Sequence, residues 1–375
     1  MFVGSFAWSF VFVSLPFYIQ RISTLDEAST LRWTGWILGV SSLVTVVTAP
    51  LSGRLAGRGD PKAFYMLVQL LQGVGFLLMA LARTLPHMLG ARVLLGLMGA
   101  SSTFAFIMAG RRAGGDVRRD VSAIQSGMTL GQVLGPPLGA IFASRIGFQE
   151  SFILGGVLLW GCCVLVGLGV PEGGGRTAAE TRAGRTSIPE VATVCLLVLV
   201  ASTQIFFLTA ILPQVLPPLG VEPADTLEMG GLVIFVTGLA AAVGSVIAPR
   251  LGELVGDRRA IVWFLGASSL LLAAQAVAPE LWSFGVLRFL QVLCIAPIFP
   301  LSVAAIAQRS SGTAIGFVNS SRIGAAFLGP VVATTLLTVA PVWAVYVTLG
   351  LVGLAVVPVL LRAFGGRSAG EAARP

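Results

Sequence analysis

The sequence predicts an all-α polytopic membrane protein, with twelve transmembrane helices in two six-helix, pseudo-symmetric halves. Three observations predict it. The 375-residue chain is 56% hydrophobic and 11% charged, with a mean hydropathy of +0.92, whereas a soluble domain carries roughly 25% charged residues. Apolar stretches of about twenty residues, each able to cross a ~30 Å hydrocarbon core, recur along its whole length. Finally, patterns in the first half of the chain return in the second.

The first apolar segment, 2–20, starts without a charged region and is followed by eleven more, so it reads as a retained helix and not a cleaved signal peptide. The second, 33–51, runs into the loop PLSGRLAGRGD. The third and fourth, 63–82 and 86–109, are separated by Arg83 to Leu85. A basic stretch from Arg111 to Arg119 precedes the fifth, 121–144, and Arg145 to Gly147 separates it from the sixth, 149–170. Then comes PEGGGRTAAETRAGRTSI, residues 171–188, which has no apolar face to bury and reads as a flexible linker. The second half supplies 189–212, 227–248, 260–278, 281–308, 313–339 and 342–362. The expected organisation is therefore an N-terminal half (1–170), a cytoplasmic linker (171–188), a C-terminal half (189–362) and a cytoplasmic tail (363–375).

Basic residues orient the chain. With the N-terminus inside, the cytoplasmic loops and tail hold seventeen Arg and Lys, among them Arg54, Arg58, Lys62, Arg118, Arg182, Arg258 and Arg367. The opposite loops hold four: Arg21, Arg32, Arg83 and Arg145. Both termini are expected in the cytoplasm. The formal charge of +8 then reflects loop arginines, and no nucleic-acid partner is expected. Near-total use of arginine over lysine suggests a GC-rich, prokaryotic genome, hence an inner-membrane location.

Chemistry beyond binding finds few candidates. The four cysteines lie in apolar runs without metal or redox spacing, and the one histidine, His87, sits near the start of a span. No enzyme activity, metal or cofactor is expected.

Three pairs of motifs carry the internal repeat. PLSGRLAG from Pro50 and PRLGELVG from Pro249 share PxxGxLxG. RVLLGLMGA from Arg92 pairs with RFLQVLCIA from Arg288, and IQSGMTLGQVLGP from Ile124 with VNSSRIGAAFLGP from Val318. Equally oriented repeats place a substrate site between halves, near the bilayer midplane. Across essentially the whole chain these residues resemble the major facilitator superfamily. GRLAGRGDPK from Gly53 is similar to a worn copy of its loop 2–3 signature, and RVLLGLMGA to its fourth-helix arginine motif. GMTLGQVLGPPLGA from Gly127 resembles the fifth-helix motif of the drug:proton antiporter branch, with Ser122 and Ala140 at two of its glycine positions. The resemblance implies alternating access, export, and a gating or coupling role for Arg92, with a lesser version for Arg288. It also implies a cytoplasmic latch around Gly53. Either Gly57 stands where the signature has its acid, or the loop is one residue short and Asp60 substitutes; the second copy offers Glu253 and Asp257, and ordinary solvated loop charges are the alternative.

Gly127, Gly131, Gly135 and Gly139 form one stripe drifting ~40° per step, suited to close helix approach. Pro136 and Pro137 offer no N–H to the carbonyls of Gln132 and Val133, so a kink is expected there. The stripe is either a tight helix contact or a bent seam between halves that favours one access state.

Three ionisable residues fall inside spans: Arg92, Arg288 and Arg322. The first two lie only ~10 Å in, within snorkelling reach of the outer interface; the bland alternative is bonding to neighbouring carbonyls. Arg322 lies near the midplane, so it faces a cavity or meets a buried acceptor, with Asn319 on nearly the same face. No Asp or Glu is mid-span, which weighs against proton antiport and leaves Glu150 and Glu228 as the nearest coupling candidates. Other cavity candidates are Gln125, Gln132, Gln204, Phe206, Phe207, Gln214, Phe12 and Phe17, which suit a mostly apolar pocket; helix packing or lipid contact is the alternative for each.

The expected function is export of small amphiphilic compounds, neutral or anionic, by a monomer in the lipid bilayer, with a proton gradient as the candidate energy source. One alternative is uptake or exchange of an organic anion using Arg322. Another is a transporter-like membrane sensor or lipid-handling scaffold.

Overall fold

A computed structural model describes residues 1–99, 101–111, 117–170, 188–307 and 312–365. Among them the chain makes twelve helical passes. The first is α1 (Phe2–Phe12) and α2 (Leu15–Ile22); the second and third are α3 (Glu27–Arg58) and α4 (Pro61–Leu81). The fourth is α5 (Leu85–Leu97) with α6 (Ser101–Arg111), followed by α7 (Val117–Arg145) and α8 (Phe148–Gly169). In the second half α9 (Ile188–Phe206) and α10 (Leu208–Val215) form one pass, then α11 (Thr226–Val255) and α12 (Asp257–Ala274). The last three are α13 (Leu281–Ile295) with α14 (Ile298–Ala307), α15 (Gly312–Leu337) and α16 (Val342–Gly365). Eleven passes are long and apolar enough to cross a membrane by composition alone. The other is α7, whose glycines, prolines and glutamines dilute its apolar content. The linker 171–187 and the tail from 366 lie outside the described residues.

Four passes are broken, and the sequence reading treats each as one helix. They are the first, fourth, seventh and tenth, two pairs related by the repeat. The break at Val13 and Ser14 is bridged by Ser14 Oγ donating to the Val11 carbonyl at 2.9 Å. After α5 the turn tightens, with Gly99 N–H donating to Gly96 O at 3.1 Å. The seventh pass breaks at Phe207, between α9 and α10. In the tenth, Pro297 removes a backbone donor just before α14. Loop 2–3 also departs from expectation: α3 continues to Arg58, so Gly53 is helical and not in a loop.

The helices cluster into two compact units. One comprises 1–179, 209–213 and 222–235; the other comprises 180–208, 214–221 and 236–375. Each is built on the same pairings. In the first, α1 packs on α7 and α4 on α8; in the second, α9 packs on α15 and α12 on α16. Small residues make the closest approaches. An added Cβ on Gly131 would stand 2.7 Å from Phe2 O and Phe6 N, and one on Gly135 would stand 2.8 Å from Phe10 N. Gly329 repeats this in the second unit, its added Cβ 3.0 Å from Phe207 N. Helices meet by backbone proximity because lipid offers no hydrophobic drive for association.

Two helix starts show local chemistry at the water interface. Asp26 accepts the Ser29 N–H at 3.1 Å, and hydrogen bonds from Ser29 hold its carboxyl below the ordinary range. Gly256 adopts φ +87 to turn the chain between α11 and α12, a conformation that favours glycine.

Candidate functional site

In the first unit Arg92 sits inside α5, only 3% exposed. Its Nε donates to Ile37 O at 2.9 Å and its second terminal nitrogen to Leu38 O at 2.8 Å, both carbonyls of α3. Each carbonyl has a second lone pair beyond its helical bond. The guanidinium carbon lies 5.6 Å from the ring centres of both Trp8 and Phe12. Arg92 therefore does not snorkel outward: satisfied acceptors lie within reach in the bundle. Trp8 in turn donates to Gln72 Oε1 at 3.1 Å, and Ser41 Oγ to the Arg92 carbonyl at 2.6 Å.

The second unit holds the counterpart. Arg288 is fully buried. One terminal nitrogen donates to Gln204 O at 2.9 Å and Gln291 Oε1 at 2.8 Å; the other donates to Ile205 O at 2.8 Å, and Nε to Thr237 Oγ1 at 3.3 Å. The break at Phe207 takes the Gln204 and Ile205 carbonyls out of the helical ladder, and Arg288 supplies the donors they lack. Of the two readings of Arg288, snorkelling outward and bonding to neighbouring carbonyls, the structure shows the second. The Gln204 side chain joins Ser268 and Ser269, and the Phe207 ring lies 5.4 Å from the guanidinium carbon. Both residues are sealed in the core, Gln204 at 1% and Phe207 at 0% exposure, where no substrate reaches them as the structure stands.

The two networks follow one template. Trp8 and Gln72 are separated by 64 positions, as are Gln204 and Ser268; Ser41 and Arg92 are separated by 51, as are Thr237 and Arg288. Sequence reasoning finds the two arginines but misses these polar partners. Carrying the Arg92–Arg288 offset through the neighbouring spans would have revealed them.

Arg322 is different. It is half-buried in α15, with its guanidinium carbon 4.9 Å from the ring centre of Phe299 on α14. Among the described residues that ring is its one recorded partner, and no hydrogen bond or ion pair reaches it. Asn319, a turn earlier, is exposed.

Gln125 and Gln132 are exposed on α7, seven residues and thus within about 20° of each other around the helix. Leu130, Leu134, Leu138 and Ile141 are exposed on the opposite side. An apolar face suits lipid, which leaves the amide face for an aqueous path. Further along that amide face Pro136 and Ala140 are buried. Gly231, in the first turns of α11, packs there, its added Cβ 3.0 Å from Pro136 O. The helix runs through Pro136 and Pro137 from Val117 to Arg145 as one element. The glycine stripe faces α1 of its own half, and the Pro136–Ala140 contact is with the first turns of α11, which belong to the same compact unit. Beyond it, Glu228 accepts from Ser144 Oγ at 2.6 Å and pairs with Arg145 Nε at 3.3 Å.

The remaining candidates are dispersed. Phe12 and Phe17 are half-buried. Asp60 caps α4, accepting from Lys62 N at 2.9 Å and Ala63 N at 3.3 Å. Glu253 is exposed in the last turn of α11 and Asp257 opens α12. Asp60 spends its carboxylate on backbone donors, neither it nor Asp257 makes an ion pair among the described residues, and the side chains of Arg54 and Arg58 lie outside them.

A family model described as Major Facilitator Superfamily matches residues 1–225 and 194–374. The chain is 25% identical over 334 residues to the Uncharacterized MFS-type transporter YuxJ of Bacillus subtilis, covering 84% of this chain and 83% of that protein. It is 24% identical over 301 residues to the Multidrug resistance protein MdtG of Proteus mirabilis, covering 77% and 74%. Among solved structures, the nucleoside transporter NupG superposes with a TM-score of 0.74 at 12% identity, covering 97% of this chain and 96% of that one. The human organic anion transporter MFSD10 gives 0.72 at 14% identity, covering 96% of both. By the family match, the repeat and the twelve-pass fold, the chain belongs to the major facilitator superfamily, whose members are multi-pass membrane transporters.

Proposed function

We propose that this transporter exports small amphiphilic compounds by alternating access, with a proton gradient as the candidate energy source, as a monomer in the bacterial inner membrane with both termini cytoplasmic. The observation that supports it is the amide face of α7. Gln125 and Gln132 are uncovered toward the Val117 end, while α11 covers Pro136 and Ala140 toward the Arg145 end. A polar path open at one end and shut at the other is what one state of an alternating-access carrier requires. Similarity to the multidrug resistance protein MdtG supports efflux over uptake. The absence of any mid-span carboxylate among the described residues favours neutral or anionic cargo over lipophilic cations.

The test is dye accumulation in an efflux-deficient bacterium, with and without a protonophore. Expression lowers accumulation of an anionic or neutral fluorescent amphiphile, and the protonophore restores it. Gln132→Leu, which makes the open face apolar, reduces the effect. Raised accumulation on expression makes the protein an importer and overturns the reading.

A further inference from the structure

We propose that Arg322 is an anion-recognition point, against which a carboxylate, sulfonate or phosphate carried on an apolar body docks during transport; this rests on the transport reading above. The argument begins with a contrast among the three membrane arginines. Arg92 and Arg288 each hold two backbone carbonyls, so each has a structural reason to exist. Arg322 holds none among the described residues. A guanidinium without an acceptor inside a span is costly, and the Phe299 ring offsets only part of that cost.

Arg322 lies six residues inside the Gly316–Leu337 apolar stretch of α15, ~9 Å along the helix, and its guanidinium reaches the Phe299 ring rather than an acceptor among the described residues. The geometry instead leaves the group ready for a ligand. The guanidinium carbon lies over the Phe299 ring at 4.9 Å, and no acceptor among the described residues takes its N–H groups, which suit a bidentate anion. Asn319, exposed a turn earlier, adds an amide donor. The apolar cluster of Val194, Val198, Ala314 and Val318, with Phe299 packed against it, offers a surface for the rest of the molecule. All Asp and Glu among the described residues lie at helix ends or in loops, so no internal acid competes.

Two sources share this chemistry: a soluble organic anion and an anionic lysolipid. The full chain in phosphatidylcholine nanodiscs is titrated with naphthalene-1-sulfonate, with its trimethylammonium analogue and with neutral 1-methoxynaphthalene. Arg322→Gln weakens sulfonate binding by about tenfold to a hundredfold and leaves the other two unchanged. Arg322→Lys, which keeps the charge but not the fork, falls between; Phe299→Leu also weakens the sulfonate selectively. Competition by lysophosphatidylglycerol at lower concentration than the free sulfonate assigns the lipid source, and the reverse order the soluble one. Undiminished sulfonate binding in Arg322→Gln overturns the proposal. So does an equal loss of all three probes in both Arg322 variants. Everted vesicles keep the two readings apart. Arg322-dependent binding without concentrative sulfonate uptake overturns export and leaves the anion site standing. Concentrative uptake of the neutral probe with Arg322-independent sulfonate binding does the opposite.

Discussion

At the scale of the residue, the three membrane arginines share a side chain and differ in what receives it. Arg288 binds two carbonyls released by the break at Phe207 and also holds Gln291 and Thr237. Removing it leaves several buried acceptors without donors, each a cost of ~1–3 kcal/mol. Arg288→Met is therefore expected to destabilise the protein by about 3 kcal/mol, read as a lowered melting temperature in detergent. Arg322→Met removes a cation with no acceptor and is expected to leave the melting temperature unchanged or raise it. Equal drops in both variants would show that Arg322 is structural too. The sequence placed all three arginines in spans but could not rank them, because a carbonyl acceptor leaves no trace in side-chain identity. The break that frees Gln204 and Ile205 was equally hidden: Phe207 is neither glycine nor proline.

At the scale of the element, α7 shows why a glycine stripe survives in a helix that glycine weakens. Gly131, Gly135 and Gly139 meet the backbone of α1, and a Cβ on Gly139 would overlap the Phe10 carbonyl. Gly131→Ala must push the helices apart, with an expected cost of ~1–3 kcal/mol. Gly90, exposed on α5, has nothing within 4 Å of its added Cβ, so Gly90→Ala is expected to be neutral or slightly stabilising. Thermal unfolding of the two variants, compared side by side, tests the contrast. The spacing of four made the stripe legible in the sequence, but not its partner. Span order is equally compatible with a contact inside one half and a seam between halves. Pro136 and Pro137 likewise announced lost backbone bonds, while α7 still runs as one element from Val117 to Arg145.

At the scale of the whole molecule, the repeat organises everything else. The pairing of α1 with α7 returns as α9 with α15, and the polar networks return at the same separations of 64 and 51. Twelve passes and their order were readable because apolar length and arginine placement are properties of the sequence itself. What closes one end of the amide face was not, since it depends on α11 arriving at Pro136 and Ala140 from a distant part of the chain. That contact is continued by Glu228 with Ser144 and Arg145, an exposed pair worth only a few tenths of a kcal/mol to about 1 kcal/mol. Such a weak link suits a surface that would part in the alternating-access cycle proposed above. Joining it covalently therefore tests the cycle itself. In the Ser144→Cys/Glu228→Cys double variant, a short bis-methanethiosulfonate reagent is expected to abolish dye export. Each single variant treated alike should keep its activity, and a reductant should restore the double variant. Undiminished export in a fully cross-linked sample, verified by mass, would mean that this contact never opens and that the access path lies elsewhere.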